Sequence, residues 1–278
     1  QVYHIFGKLI HCFYFQMHLT EEELVLVREF LDSEHDRFNR ADFIESDPIS
    51  IPHRYTHKED REISGFLTAT ISWGQRQGIL KNAMRLMELM DDQPHAFLLD
   101  SSKVDWQRFS RFVHRTFNGS DSLLFIDCLS VLYRKKGGLH QIFSKSFQAA
   151  NGDMGLAISK FRSEFFGDKL PGRTGKHFSD PNRNSAAKRL CMYLRWMVRL
   201  DNRGVDFGLW SDIPTSALMC PLDVHSGRVA RGLGVLQRSQ NDWKAVDELS
   251  QNLRMFDPID PCKYDFALFG GGVSERQP

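Results

Sequence analysis

SAAKRLCMYLRWMVR, residues 185–199, is the stretch whose reading decides the fold. Ala187, Cys191, Leu194 and Val198 recur at spacings of three and four, so they share one face of a helix, and Lys188, Met192, Arg195 and Arg199 line a neighbouring face. Working outward, the same helical period returns in most segments and no stretch sustains period-two alternation, so the expected class is all-α.

Thr20 followed by Glu23 forms a capping box and predicts a helix start, with Leu24, Val27, Phe30 and Leu31 inward. DPISIPHRY (47–55) interrupts it, since two prolines and an aspartate oppose helix continuation. From His57 a second pattern places Ile63, Phe66, Leu67, Thr70 and Ile71 inside, and it ends at SWGQRQG (72–78), whose Gln75 and Arg76 stand between Gly74 and Gly78. Residues 79–90 read as the next helix, 94–117 as helical with Phe97, Phe109 and Phe112 inside, and 121–138 as an apolar helix closed by Gly137 and Gly138. Short helices follow over 139–147 and 155–167. LPGRTGKHFSDPNRNS (170–185) is the main loop, DNRGVDFG (201–208) a turn, 242–256 an amphipathic helix, and 257–272 an irregular segment with a short final helix stopped by glycines.

The chain has 278 residues and a net charge of +1, so nothing global points to a polyanion. Between Pro171 and Arg203, however, eight Lys/Arg face two acids. Cys12, Cys128, Cys191, Cys220 and Cys262 include no C-x-x-C pair, which disfavours a cysteine-held zinc or iron–sulfur centre and a disulfide framework; no metal or cofactor is expected. A reduced, cytoplasmic setting follows. No apolar run is long enough to span a membrane. The aromatic opening, residues 1–16 ahead of Met17, reads as a packed segment or a leader foreign to the protein rather than a targeting signal. Walker and dinucleotide-binding loops are absent, and His53 and His57 read as part of a capping turn rather than a metal pair.

PLDVHSGRVARGLG (221–234) supplies the second chemical element. Pro221 fixes the entry, Asp223 is placed to cap the next helix, and Val224, Val229 and Leu233 are placed to pack. This segment resembles the one following the helix-hairpin-helix of the HhH-GPD superfamily of DNA glycosylases, in which an aspartate is catalytic and bifunctional members carry an upstream lysine. Lys188 and Asp223 match those roles in type and order, and their separation of 35 positions is similar to that of the divergent archaeal 8-oxoguanine glycosylases. The hairpin-like LPGRTGK (170–176) nominates Lys176 as the alternative amine. The whole chain also resembles an uncharacterised bacterial conserved family with KRLxMxLRWMVR and DFALFGxG segments.

The resemblance implies a monomeric, single-domain chain over 1–278, folded as two helical lobes with the active-site cleft between them and 185–256 carrying the catalytic segment. It implies removal of a damaged base, an oxidised purine, from duplex DNA by lysine Schiff-base chemistry, without an iron–sulfur cluster. Lys188 and Asp223 are then the catalytic pair. Arg183, Arg189, Arg195, Arg228 and Arg231, with the backbone N–H groups around Gly232 and Gly234, are the expected phosphate holders. Trp73, Gln75, Phe266 and Phe269 are the expected readers of the extruded base. The alternative is a non-catalytic DNA- or RNA-binding protein on the same fold, since arginine-rich helices do not distinguish the two polymers. A structural protein whose arginine-bearing helix merely packs is the remaining reading.

Overall fold

The computed structural model describes residues 19–274, with the side chains of the last four of these left aside; the expectations for residues 1–16 lie outside the described residues. The protein is all-α. The helices in chain order are α1 (Glu21–Phe38), α2 (Ala41–Ser46), α3 (Ser50–His53), α4 (Lys58–Ile71), α5 (Arg76–Glu88), α6 (Pro94–Asp100), α7 (Gly119–Lys135), α8 (Gly138–Ala149), α9 (Met154–Phe166), α10 (Lys188–Val198), α11 (Val224–Gly232), α12 (Trp243–Phe256) and α13 (Asp265–Ser274). No described helix is long and apolar enough to cross a membrane.

Local chemistry sets the helix starts. Thr20 accepts from the Glu23 N–H while Glu23 reaches back to the Thr20 N–H, as the capping box requires. Asn118 and Asp121 repeat the device at α7. On α1 the buried stripe is Leu24, Leu31 and His35, whereas Phe30 stays on the outer side and Val27 is half-buried. The expected inward Phe30 is therefore corrected: it sits next to Leu31, too far round the helix to share its face.

Helix α4 is the hub. Every residue from Glu62 to Ile71 is buried, because α3, α5, α6, α8 and α10 all pack around it. Phe66 meets Phe125, Phe161, Phe165, Phe178 and Tyr193 at centroid separations of 5.3–6.3 Å, so one aromatic cluster joins α4, α7, α9 and α10. The buried Glu62 carboxylate accepts from Tyr133 Oη at 2.8 Å and Trp210 Nε1 at 2.9 Å, with Lys58 Nζ at 3.3 Å. A buried carboxylate so surrounded has its lone pairs occupied.

Two expectations change here. The 94–117 segment is helical only over α6 and a 3₁₀ turn (Asp105–Arg111). It then forms a two-stranded antiparallel hairpin, β1 (Val113–His114) with β2 (Phe117–Asn118), in register Val113 to Asn118 and His114 to Phe117. Two-residue strands are too short to show alternation. Likewise the glycines after Phe269 do not stop the last helix, which runs through them to Ser274. Gly270 lies against the Phe38 ring, where a Cβ would stand 2.0 Å from a ring carbon, so at this position close approach between α13 and α1 requires glycine.

The face of α10 carrying Arg195 and Arg199 turns inward. Arg195 pairs with Asp206 (3.2 Å) and Asp265, and Arg199 pairs with Asp201 (2.9 Å), Asp206 (3.0 Å) and Asp260 (2.8 Å). Both guanidiniums are nearly sealed from water. Asp206 is the carboxylate both share, and breaking a buried ion network from one side leaves an uncompensated charge. Asp206→Ala is therefore expected to destabilise the protein by about 3–5 kcal/mol, read from the midpoint of urea unfolding; a variant within experimental error of wild type would show that the network contributes nothing.

Candidate active site

Lys188 opens α10 and Asp223 is the N-cap of α11. The structure brings them together: Lys188 Nζ stands 3.3 Å from Asp223 Oδ2, with side chains 36% and 35% exposed. Asp223 divides its two oxygens. Oδ1 accepts the N–H groups of His225 (2.8 Å) and Ser226 (3.0 Å), and Oδ2 faces the lysine. Burial opposes ionisation of Asp223, but the Lys188 ammonium and the N–H groups of Ser226 and His225 outweigh it and hold the carboxyl below its ordinary value. The charged partner of Lys188 is this carboxylate.

Backbone geometry aims the lysine. Ala187, the N-cap residue, has φ +46° and ψ +29°, the left-handed region that costs an L-residue roughly 1–2 kcal/mol. This reversal turns the chain out of the 170–186 loop and into α10. The loop end is tied down by a bridge between Ser185 and Asp242 and by Asn184 Nδ2 donating to Asp242 Oδ2 at 3.0 Å.

Two more carboxylates belong to this neighbourhood and were missed in the sequence. Asp265, at the start of α13, is buried against Arg195. Burial raises it to about 6, with Asp223 and Asp206 adding to the rise and Arg195 and Lys188 opposing it. Asp47 is also pushed up by burial, against the Ile49 N–H, Arg195, Arg76 and Lys188. Sequence spacing carries no sign of either, since each depends on which distant helix it packs against. Arg76 had a signal in its Gly-bounded segment, and its guanidinium lies 5.1 Å from the centroid of the Phe269 ring.

The remaining expected site residues divide. Arg183 is 80% exposed, and Arg228 is exposed. Arg195 is corrected as a phosphate holder, because its guanidinium is spent on Asp206 and Asp265 inside the protein. Arg189 is partly buried, donates to the carbonyls of Thr70 and His177, and lies over Trp73 at 4.7 Å; burial lowers it to about 10. Arg231 donates to the Arg238 carbonyl at 2.8 Å and Asn241 Oδ1 at 2.6 Å, fastening the loop after α11. The N–H groups of Leu233, Gly234 and Val235 already donate to the carbonyls of Val229, Arg231 and Ala230, so the Gly232–Gly234 backbone is not an anion cradle but a helix end.

Among the expected base readers, Phe266 is buried at the arginine network, with Arg195 4.3 Å and Arg199 5.5 Å from its ring centroid, and is corrected to a core residue. Trp73 is half-buried, stacked on His177 at 5.6 Å and covered by Arg189. Gln75 is exposed at the N-cap of α5, and Phe269 is half-buried beside Phe43 and Arg76. Lys176 lies exposed in a 3₁₀ turn, Gly172–His177. Val224, expected to pack, is 74% exposed. Two surface clefts, about 710 Å³ between α7, α8 and α9 and about 490 Å³ beside the starts of α9 and α12, are lined by neither Lys188 nor Asp223.

With this geometry described, comparison places the chain. Residues 47–274 match the model of a family described as proteins of unknown function, DUF2400, and the chain belongs to that family. The match takes in α3 to α13, and with them Lys188, Asp223, Asp265 and Asp47. Neither curated proteins nor solved structures yield a match.

The raised Asp265 has a measurable consequence. Its folded value, about 6, lies above its ordinary value of 3.8, so in that window the folded state binds more protons than the unfolded one. Its contribution to stability is then fullest below the lower value and is lost as pH rises through the upper one. Asp265→Asn, fixed in a neutral form, is expected to gain in melting temperature relative to wild type as pH rises from about 4 to about 7. A difference that stays constant across that range contradicts the assignment.

Proposed function

We propose that the protein is a DNA N-glycosylase with lyase chemistry, acting on a damaged base in duplex DNA through Lys188 and Asp223. The observation that carries this reading is the 3.3 Å approach of Lys188 Nζ to Asp223 Oδ2, both partly open to solvent, from helix starts 35 positions apart. An amine beside a carboxylate, each held by its own helix, is the minimal equipment for covalent catalysis at a sugar carbon. The two-lobed arrangement with a cleft between lobes, the monomeric state and the preference for an oxidised purine belong to this reading too.

In the proposed reaction the base leaves the stack, at a cost of a few kcal/mol that is smaller for a lesion. The Lys188 ammonium gives up a proton, its Nζ lone pair then attacks the anomeric carbon as the bond from that carbon to the base nitrogen breaks, and the base departs with the bond electrons and takes up a proton from water. Asp223, kept ionised by its helix start and by Lys188, stabilises the positive charge developing on the sugar. The bond from the anomeric carbon to the ring oxygen then breaks as a proton passes from Nζ to that oxygen, leaving a protonated imine on Nζ, and loss of a proton from the adjacent carbon expels the 3′ phosphate by β-elimination. Of the expected phosphate holders, Arg183 and Arg228 are the ones exposed at the surface.

Borohydride reduction on duplex containing 8-oxoguanine is the test. Wild-type protein is expected to give a covalent protein–DNA adduct, and Lys188→Ala none. Asp223→Asn is expected to slow adduct formation by roughly 10²–10⁴-fold while duplex affinity changes little. Binding without any adduct across a set of lesions selects the non-catalytic alternative, and persistence of the adduct in Lys188→Ala moves the amine elsewhere.

A further inference from the structure

The 710 Å³ groove bounded by α7, α8 and α9 lies outside the site described above, and its lining carries a surplus of cations. Lys135 and Lys136 stand at the end of α7, Lys145 on α8 and Lys160 on α9, over a floor that includes Ile142 and Leu156. Its two acids are already engaged. Glu164 holds Lys136 at 3.0 Å, and Asp180 accepts from Ser159 Oγ (2.7 Å) and the Asn182 N–H (3.1 Å) with Arg183 at 3.7 Å. Among the described residues no carboxylate lies within ion-pair range of Lys135, Lys145 or Lys160. Lysines in the last turn of a helix complement its dipole, which accounts for Lys135; Lys145 and Lys160 lie inside their helices, where that use does not exist.

We propose that this groove is a second phosphate-binding surface, through which Lys135, Lys145 and Lys160 hold the backbone of the same polynucleotide that reaches Lys188. The inference rests on the base-excision reading. Its geometric support is continuity: Asp180 and Asn182 form the groove's rim, and the chain runs from Asn182 through the exposed Arg183 to Lys188 in six residues. That tether spans at most about 20 Å. A groove open to solvent and walled by unpaired ammonium groups suits a continuous polyanion, whose bound counterions are released on contact.

The test uses the full chain carrying Lys135→Gln, Lys145→Gln and Lys160→Gln together, alongside the Lys→Arg triple that keeps the charges. Duplex affinity is measured from low to moderate salt, and inorganic tripolyphosphate binding in parallel. The glutamine triple is expected to bind duplex at least tenfold more weakly at low salt, with the slope of log affinity against log salt shallower by about 2–3; the arginine triple is expected to restore both. An unchanged slope in a glutamine triple that still binds and is trapped at Lys188 overturns the groove proposal alone. Loss of tripolyphosphate binding with duplex binding intact assigns the groove to a free phosphate ligand and overturns the backbone assignment. A wild-type chain that ignores duplex and gives no adduct removes the excision reading itself, and the groove proposal with it.

Discussion

Two guanidiniums buried on one helix are the constraint from which the rest of this structure follows. Taking Arg195 and Arg199 out of water costs several kcal/mol per ion, so α10 can be buried only if carboxylates are brought to it. They come from the 201–206 turn, from the segment before α13, and from the first residue of α13. Four carboxylates against two arginines is an excess of negative charge in a poorly solvated place, and two of the carboxyls are pushed upward by it. Asp260 and Asp265 are both shifted upward, first by burial and further by neighbouring acids. His35 responds in the opposite sense, held down to about 4 by burial and by Arg199. Once the network forms, the register and rotation of α10 are fixed, and so is the place where its first residue, Lys188, leaves the surface.

How much of this could be read in advance depended on the range of the interaction. Capping boxes act over three residues, so the start of α1 was legible from Thr20 and Glu23. Buried positions at helical spacing were legible on α4 and α10. The direction in which Arg195 and Arg199 point was not. Local pattern puts charged residues on the wet side, and the partners that reverse it include ones as far as 70 positions away. The same long range hid Asp47 and Asp265. Phe266 and Phe269, alike in sequence, part company because one turns toward the arginines and the other toward Arg76.

The aspartate of PLDVH shows why a structural and a chemical role need not compete. Read alone it is an N-cap, and Oδ1 does cap α11. A carboxylate has two oxygens, however, and the helix start occupies only one of them. Oδ2 is left to Lys188, and the cap itself serves the pairing by orienting the group and keeping it charged.

That division also sorts the chemistry available to the proposed reaction. A carboxylate held below its ordinary value by N–H groups and an ammonium is a good stabiliser of positive charge and a weak proton acceptor. Asp223 is therefore better suited to supporting a cationic sugar than to deprotonating the amine. Asp265, buried against Arg195 and in the field of Lys188, is pushed in the opposite direction, up to about 6. The opposite shifts arise because Asp223 faces a helix start and an amine at the surface, whereas Asp265 lies buried in the arginine network.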